Sequence, residues 1–268
     1  MRRVRQFAWL LLALVVLASL GAGLWAPADY AMQFRETPNS PPSHQHLLGT
    51  DELGRDRFSR VLYGTRVSLL MAPAAALLST LLATLVGGIA GYLGGWWERA
   101  AMGATDLFLS MPWLFLLLAV RAMLPLNIAP ITSVAVTFLL LGLLGWAASA
   151  RVLCAGVRGL RDSDFVLQAR ASGLRGVRLL AVHVLPNLKP VLLAQFWISI
   201  PVFIISEANL GILGLGVSEP LPSWGSLLRE LESFTSVGFE AWKLAPLALL
   251  VLVVSSFQII LSRDEVYA

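Results

Sequence analysis

Residues 67–93 read VSLLMAPAAALLSTLLATLVGGIAGYL, an apolar run without a single charged side chain. An α-helix needs about 20 apolar residues to cross a ~30 Å hydrocarbon layer, and this run exceeds that length. Apolar runs of the same kind recur at Asp106–Pro125, Ile131–Ala150, Val191–Leu215 and Trp242–Leu261. A further run, Phe7–Ala26, follows Arg2, Arg3 and Arg5. No site of small residues suited to signal cleavage follows it, so 1–26 reads as a retained transmembrane anchor. The pattern predicts an all-α, polytopic membrane protein of about six transmembrane helices. Glycines and prolines inside the runs, such as Pro73, Pro112 and Pro201, are tolerated because neighbouring helices satisfy freed backbone groups. Ala83, Gly87 and Gly91, spaced by four, predict a close approach between two helices.

Composition agrees. Hydrophobic residues make up 57% of the 268 residues, charged residues 13%, and the mean hydropathy is +0.75. A soluble domain keeps about a quarter of its residues charged. The net charge of +4 would raise nucleic acid as a partner in a soluble protein. Here the arginines lie between apolar runs, where topology and contacts with acidic headgroups or a protein partner account for them. The single cysteine, Cys154, excludes an internal disulfide and a multi-cysteine metal site, and reads as a small packing residue.

Lysine and arginine are more frequent in the segments on the side of the N-terminus, Arg263 included, which predicts that both ends are cytoplasmic. Residues 27–66, with prolines at 27, 38, 41 and 42, then form an extracytoplasmic segment. Beyond Gly54, Phe58, Val61, Leu62, Thr65 and Leu69 share one helical face, and Asp56 and Arg60 stand four apart on another. This predicts an amphipathic interfacial helix carrying an Asp56–Arg60 pair. His44 and His46 have no third ligand at metal spacing and read as solvated. No metal site is expected.

The longest cytoplasmic segment, 151–190, is too polar for lipid. Asp162 or Ser163 can cap a short helix with Phe165, Val166 and Ala169 apolar, and Gly173 suits its end. A second amphipathic stretch, Val177–Leu185, stops at Pro186. Two short helices with an apolar edge and a rim of Arg158, Arg161, Arg170, Arg175, Arg178 and Lys189 predict a docking element; a solvated loop has the same periodicity. Glu207 is the one acid well inside a span, which marks a functional site or a paired charge. It is either a group on a translocation path, with Asn209 beside it, or a structural brace near a helix break. Asp106 reads as an interfacial cap, and Trp96, Trp97, Trp224 and Trp242 as an aromatic belt.

Four blocks carry a resemblance. The first runs from His46 to Arg60 and holds Gly49-Thr50-Asp51 and Gly54-Arg55-Asp56, with Tyr63-Gly64-Thr65-Arg66-Val67-Ser68-Leu69 after it. The second is Ala150-Arg151 through Asp164-Phe165-Val166. The third is Ala169-Arg170-Ala171-Ser172-Gly173 with His183-Val184-Leu185-Pro186-Asn187, and the fourth is Glu207-Ala208-Asn209-Leu210, Leu213-Gly214-Leu215-Gly216 and Pro222-Ser223-Trp224-Gly225. Together they resemble the inner-membrane permeases of dipeptide, oligopeptide and nickel ABC importers. Four positions depart from the family pattern. Its loop reads Glu-Ala-Ala where this chain has Leu167-Gln168-Ala169, and arginines are replaced by Cys154 and Gly103. The loop change bears on which ATPase is gripped and how strongly.

The resemblance implies a permease core over 67–268 that pairs with a second, homologous permease. It also implies an ATPase-coupling loop that includes Leu167, Gln168, Ala169, Arg170, Gly173, Leu185 and Pro186. Two cytoplasmic ATPase subunits would grip that loop, and an extracytoplasmic solute-binding protein would deliver a peptide or related small solute. The location implied is the cell (inner) membrane of a bacterium or archaeon. No Gly-x-x-x-x-Gly-Lys-Ser/Thr occurs, so ATP is expected on the partner subunits, with no cofactor in this chain. No nucleophile–base pair or ligand cluster stands at membrane depth, so the chain reads as no enzyme. An exporter of the same fold and a non-transporting structural subunit are the alternative readings.

Overall fold

The computed structural model describes residues 2–125, 128–231 and 240–262; Arg263 lies outside them. The chain is all-α. Among the described residues the only strand-like pairings are two isolated bridges, Gln33 with Arg55 and Thr50 with Asp56. The helices are α1 (Arg2–Leu20), α2 (Ala22–Trp25), α3 (Arg57–Leu93), α4 (Gly95–Ser110), α5 (Trp113–Ala122), α6 (Pro130–Leu144) and α7 (Ala147–Arg161). They continue as α8 (Asp164–Ala171), α9 (Gly176–Leu179), a π-helical turn (Leu180–Val184), α10 (Leu185–Asn187), α11 (Lys189–Ile212), α12 (Trp224–Arg229) and α13 (Ala245–Leu261). Among the described residues four helices are long and apolar enough to cross a membrane, and there are up to 6 spans if each of two bent pairs is one.

The bent pairs correct two of the expected spans. The run Asp106–Pro125 is not one helix: α4 and α5 meet at 79°. Pro112 disfavours helical geometry at the residue before it, and Met111 is accordingly extended, with ψ 131°. The run Ile131–Ala150 is divided between α6 and α7, bent by 40° at Gly145-Trp146, where glycine weakens the helix. The interfacial helix is not a separate element either. Residues 57–66 are the opening turns of α3, which runs on past Gly64 to Leu93. Pro186 does not stop its segment: the wide π turn precedes it, and the proline falls in the first turn of α10, where its missing N–H is not needed.

The chain forms two compact units. One comprises Met1–Ala72, Arg121–Phe138 and Pro201–Ala268. In it α1 packs along α13 and buries Ala8, Leu12 and Ser19, while Leu10, Leu14 and Leu17 face outward. That outward face would be an exposed apolar patch in water and is ordinary for a helix solvated by lipid.

The other unit comprises Pro73–Val120 and Leu139–Ile200. Here the spacing of Ala83, Gly87 and Gly91 acts as expected. A Cβ on Gly87 would strike the carbonyl of Ala150, and one on Gly91 would meet the Cys154 carbonyl, so α3 and α7 touch backbone to backbone. Cys154 is buried in that contact. Two ion pairs join α4 to α7: Arg151 to Asp106 at 2.7 Å and Arg158 to Glu98 at 2.8 Å. Asp106 is therefore a mid-helix partner of Arg151 and not a cap, because α4 already begins at Gly95.

Candidate functional site

Two places gather the residues singled out in the sequence, one in each unit. The first is a cluster of buried charge built by the Gly-Thr-Asp and Gly-Arg-Asp blocks. Gly54 has φ +73°, and a side chain there would collide with the Phe34 carbonyl, so only glycine permits this turn. Asp51 accepts the Leu53 and Arg55 amides on Oδ1, at 2.9 and 2.7 Å. Thr50 ties the turn to the proline-rich stretch, donating to the Thr37 carbonyl and accepting the Ser40 amide. Asp56 caps α3 by accepting the Ser59 amide at 2.7 Å.

Asp56 does not pair with Arg60. Its other oxygen lies 2.9 Å from His46 Nδ1. The imidazole is buried and stacks edge-on against Phe34, so His46 is a packed residue, whereas His44 is exposed. No group of three His, Cys, Asp or Glu suited to a metal occurs among the described residues.

Arg60, fully buried, turns instead to Glu219 and Glu230 at 3.0 and 2.9 Å. Arg55 bridges Asp51 at 2.6 Å and Glu219 at 2.5 Å, and Arg57 reaches Glu230 at 3.2 Å. Burial raises the Glu219 carboxyl, but Arg60 and Arg55 outweigh it and hold the group below its ordinary range. For Glu230 burial wins over Arg60 and Arg57, with Asp51 adding repulsion, and its pKa is raised. Sequence reading missed both acids. The available signal was the surplus of arginines over 55–60, which needed acids from outside the block.

Glu207, also fully buried, accepts the Gly225 amide at 3.3 Å and the Ser68 hydroxyl at 3.4 Å. It thus joins α3, α11 and α12. Asn209, two residues on, is half-buried. Trp224 does not belong to an aromatic belt: it is fully buried, and its Nε1–H donates to Thr65 Oγ1 at 3.2 Å. Trp96 and Trp97 are exposed as expected.

The second place is a small helical knob with its own core of Val157, Val166, Ala169, Leu179, Leu180, Val184 and Leu188. Leu174, Leu185 and Tyr92 pack against it. Ser163 precedes α8 as expected but makes no cap bond, and its hydroxyl donates to the Leu160 carbonyl at 2.6 Å. After α8, the Leu174 amide returns to the Ala169 carbonyl and Gly173 takes φ +90°, the left-handed closure that glycine favours. With Val166 and Ala169 facing inward, Phe165, Leu167 and Gln168 must face outward. Val177 and Val182 are exposed too, with Arg175 and Arg178 beside them in sequence. Of the coupling-loop residues, Leu167, Gln168, Gly173 and Pro186 are exposed, Arg170 and Leu185 are half-buried, and Ala169 is buried.

Residues 83–264 match the family described as binding-protein-dependent transport system inner membrane component. The chain is 31% identical over 235 residues to an oligopeptide transport system permease protein of Bacillus subtilis, covering 88% of this chain and 74% of the relative. It is 32% identical over 222 residues to a dipeptide transport system permease protein of the same organism, covering 83% and 67%. A glutathione transport system permease protein of Pectobacterium atrosepticum is 32% identical over 237 residues, 87% of this chain and 77% of that one. The chain belongs to the inner-membrane components of binding-protein-dependent transport systems.

Proposed function

We propose that this subunit imports peptides or a related small solute, pairing with a second homologous permease to line the path. Both termini face the cytoplasm, and ATP is bound and hydrolysed by two partner ATPases that grip the knob around Leu167–Gly173. A solute-binding protein delivers cargo from outside the cell membrane. The single observation that carries the reading is the knob itself. It has a core of its own, yet it leaves Phe165, Leu167, Val177 and Val182 outside that core. A solvated loop has no reason to be built so, whereas an apolar edge with a cationic rim is the anatomy of a docking surface.

Glu207 supports the structural side of its two readings. Its partners Ser68 and Gly225 lie in its own unit, and it has no accessible surface to offer a solute. The carboxylate braces α12 against α3 and α11.

The test is co-purification of the tagged chain from native membranes, with partners identified by mass spectrometry and ATPase activity assayed. Recovery of a second permease and ATPase subunits, with the ATPases lost when Gln168 and Gly173 become bulky and charged, is the expected outcome. Recovery of the chain alone would refute coupling to ATP.

A further inference from the structure

The unit that holds the charge cluster also encloses a cavity of about 680 Å³. Its wall includes Glu52, Arg55, Arg121, Glu219, Arg229 and Glu230, with Gly211, Gly214 and Gly216 exposing backbone to it. Subtracting the ion pairs leaves an imbalance. Arg55 is taken by Asp51 and Glu219, and Glu230 by Arg57 and Arg60. Arg121 has no acidic partner among the described residues. Its guanidinium, fully buried, meets only neutral oxygens: Gly216 O at 3.2 Å, Ser133 Oγ at 3.3 Å and Pro125 O at 3.5 Å, and its Nε has no partner. Arg229 stands exposed on the same wall, its guanidinium beside Gly214 and likewise without an acid among the described residues. Glu52 is the one acid on that wall outside the ion pairs.

A buried cation without a counter-charge is costly, and carbonyl dipoles offset only part of that cost. The cost falls when an anion enters the cavity, because the low-dielectric wall strengthens the attraction. Arg121 lines the wall from a buried position and supplies potential, whereas Arg229 is open to direct contact. We infer that this cavity is a carboxylate subsite, in which Arg229 pairs with the free carboxylate of the transported solute and Arg121 supports it from behind. A planar guanidinium fits a carboxylate with two parallel hydrogen bonds, and the small loop residues leave room for the rest of the solute. This inference rests on the proposed import of peptide-like cargo.

The experiment compares uptake of one labelled dipeptide with that of its C-terminally amidated form, in proteoliposomes holding the full transporter and loaded with ATP. The dipeptide is given at saturating binding protein, and both forms are assayed on wild type, Arg229→Gln and Arg229→Lys. The free-acid form should be preferred by wild type, and Arg229→Gln should reduce that preference about tenfold, as loss of a charge-assisted hydrogen bond does. Arg229→Lys should keep part of it. A purely structural fault would lower uptake of both forms equally and leave their ratio unchanged, which overturns the inference. Wild-type uptake of both forms with no difference between them also overturns it while leaving peptide import standing. No uptake of either form by wild type would instead refute the proposed cargo.

Discussion

Arg60 and Glu230 lie 170 positions apart in sequence and 2.9 Å apart in the fold. The guanidinium is fully buried, while the carboxylate keeps about a fifth of its side-chain surface exposed. The contact joins the first turn of α3 to the residue just after α12, and Glu219 supports it from the loop that follows α11. Three segments remote in sequence are thus fastened by one arginine. Such a fastening depends on every partner being present, because desolvating a charge costs more than a single pairing returns.

Removing the arginine alone should therefore be severe. Arg60→Ala leaves Asp51, Glu219 and Glu230 to share Arg55 and Arg57 alone, and breaking a buried pair typically costs about 3–5 kcal/mol. Thermal unfolding of the purified protein in detergent should show a large drop in Tm, with Glu230→Gln milder because the amide oxygen still accepts from Arg60. Equal losses in the two variants would contradict the arrangement.

Glu219 gives the cluster a pH dependence. Its folded-state pKa lies below the ordinary 4.5, so the unfolded chain binds the proton first as pH falls. The stability it contributes is present above pH 4.5 and is lost as pH falls through the folded-state value. Thermal unfolding followed from neutral pH downward should show an acid-side decline that is shallower in Glu219→Gln. An unchanged slope would mean that the arginines do not act on this carboxyl.

The transmembrane character was legible because apolar run length is a local property, and the close approach at Gly87 and Gly91 followed from spacing alone. The bends were not, although Pro112 and Gly145 were visible: whether lipid-depth proline kinks a helix or ends it depends on what surrounds it. The charge cluster was half legible. Arg55, Arg57 and Arg60 announced a need for acids, but an (i, i+4) rule offered Asp56, which the fold places at the helix cap and beside His46. Glu219 and Glu230 come from the far end of the chain, and no local rule reaches them. Glu207 was read as an anomaly in a span; its partners on α3 and α12 exist only after packing.

The contact between α3 and α7 sets a second stability test. Gly87→Val would drive its Cβ into the Ala150 carbonyl, and backbone cannot give way as a flexible side chain would. Overpacking of this kind costs about 1–3 kcal/mol. The same change at Gly103, which has open space around it, should be close to neutral apart from helix propensity. Paired melting curves of the two variants decide the matter, and similar losses would argue against the close approach.

Leu167 lies on the outward face of the knob, the face that the proposed function gives to the partner ATPase. The side chain is 47% exposed on α8, next to Phe165 at 38%, while Val166 between them is buried. Neither exposed residue belongs to the core of the knob, so substitution there should spare the fold. Under the proposed function an ATPase surface complementary to this chain presents an apolar recess, and a carboxylate entering it loses its hydration without a partner. Leu167→Glu should then weaken binding-protein-stimulated ATPase activity about tenfold, or ~1.4 kcal/mol. Tm should stay close to wild type, since the position is outside the core. Gly173→Val should lower both activity and Tm, because valine resists the left-handed turn that ends α8. If Leu167→Glu instead raised ATPase coupling, the recess would be polar, and the apolar edge of the knob would not be what the partner reads.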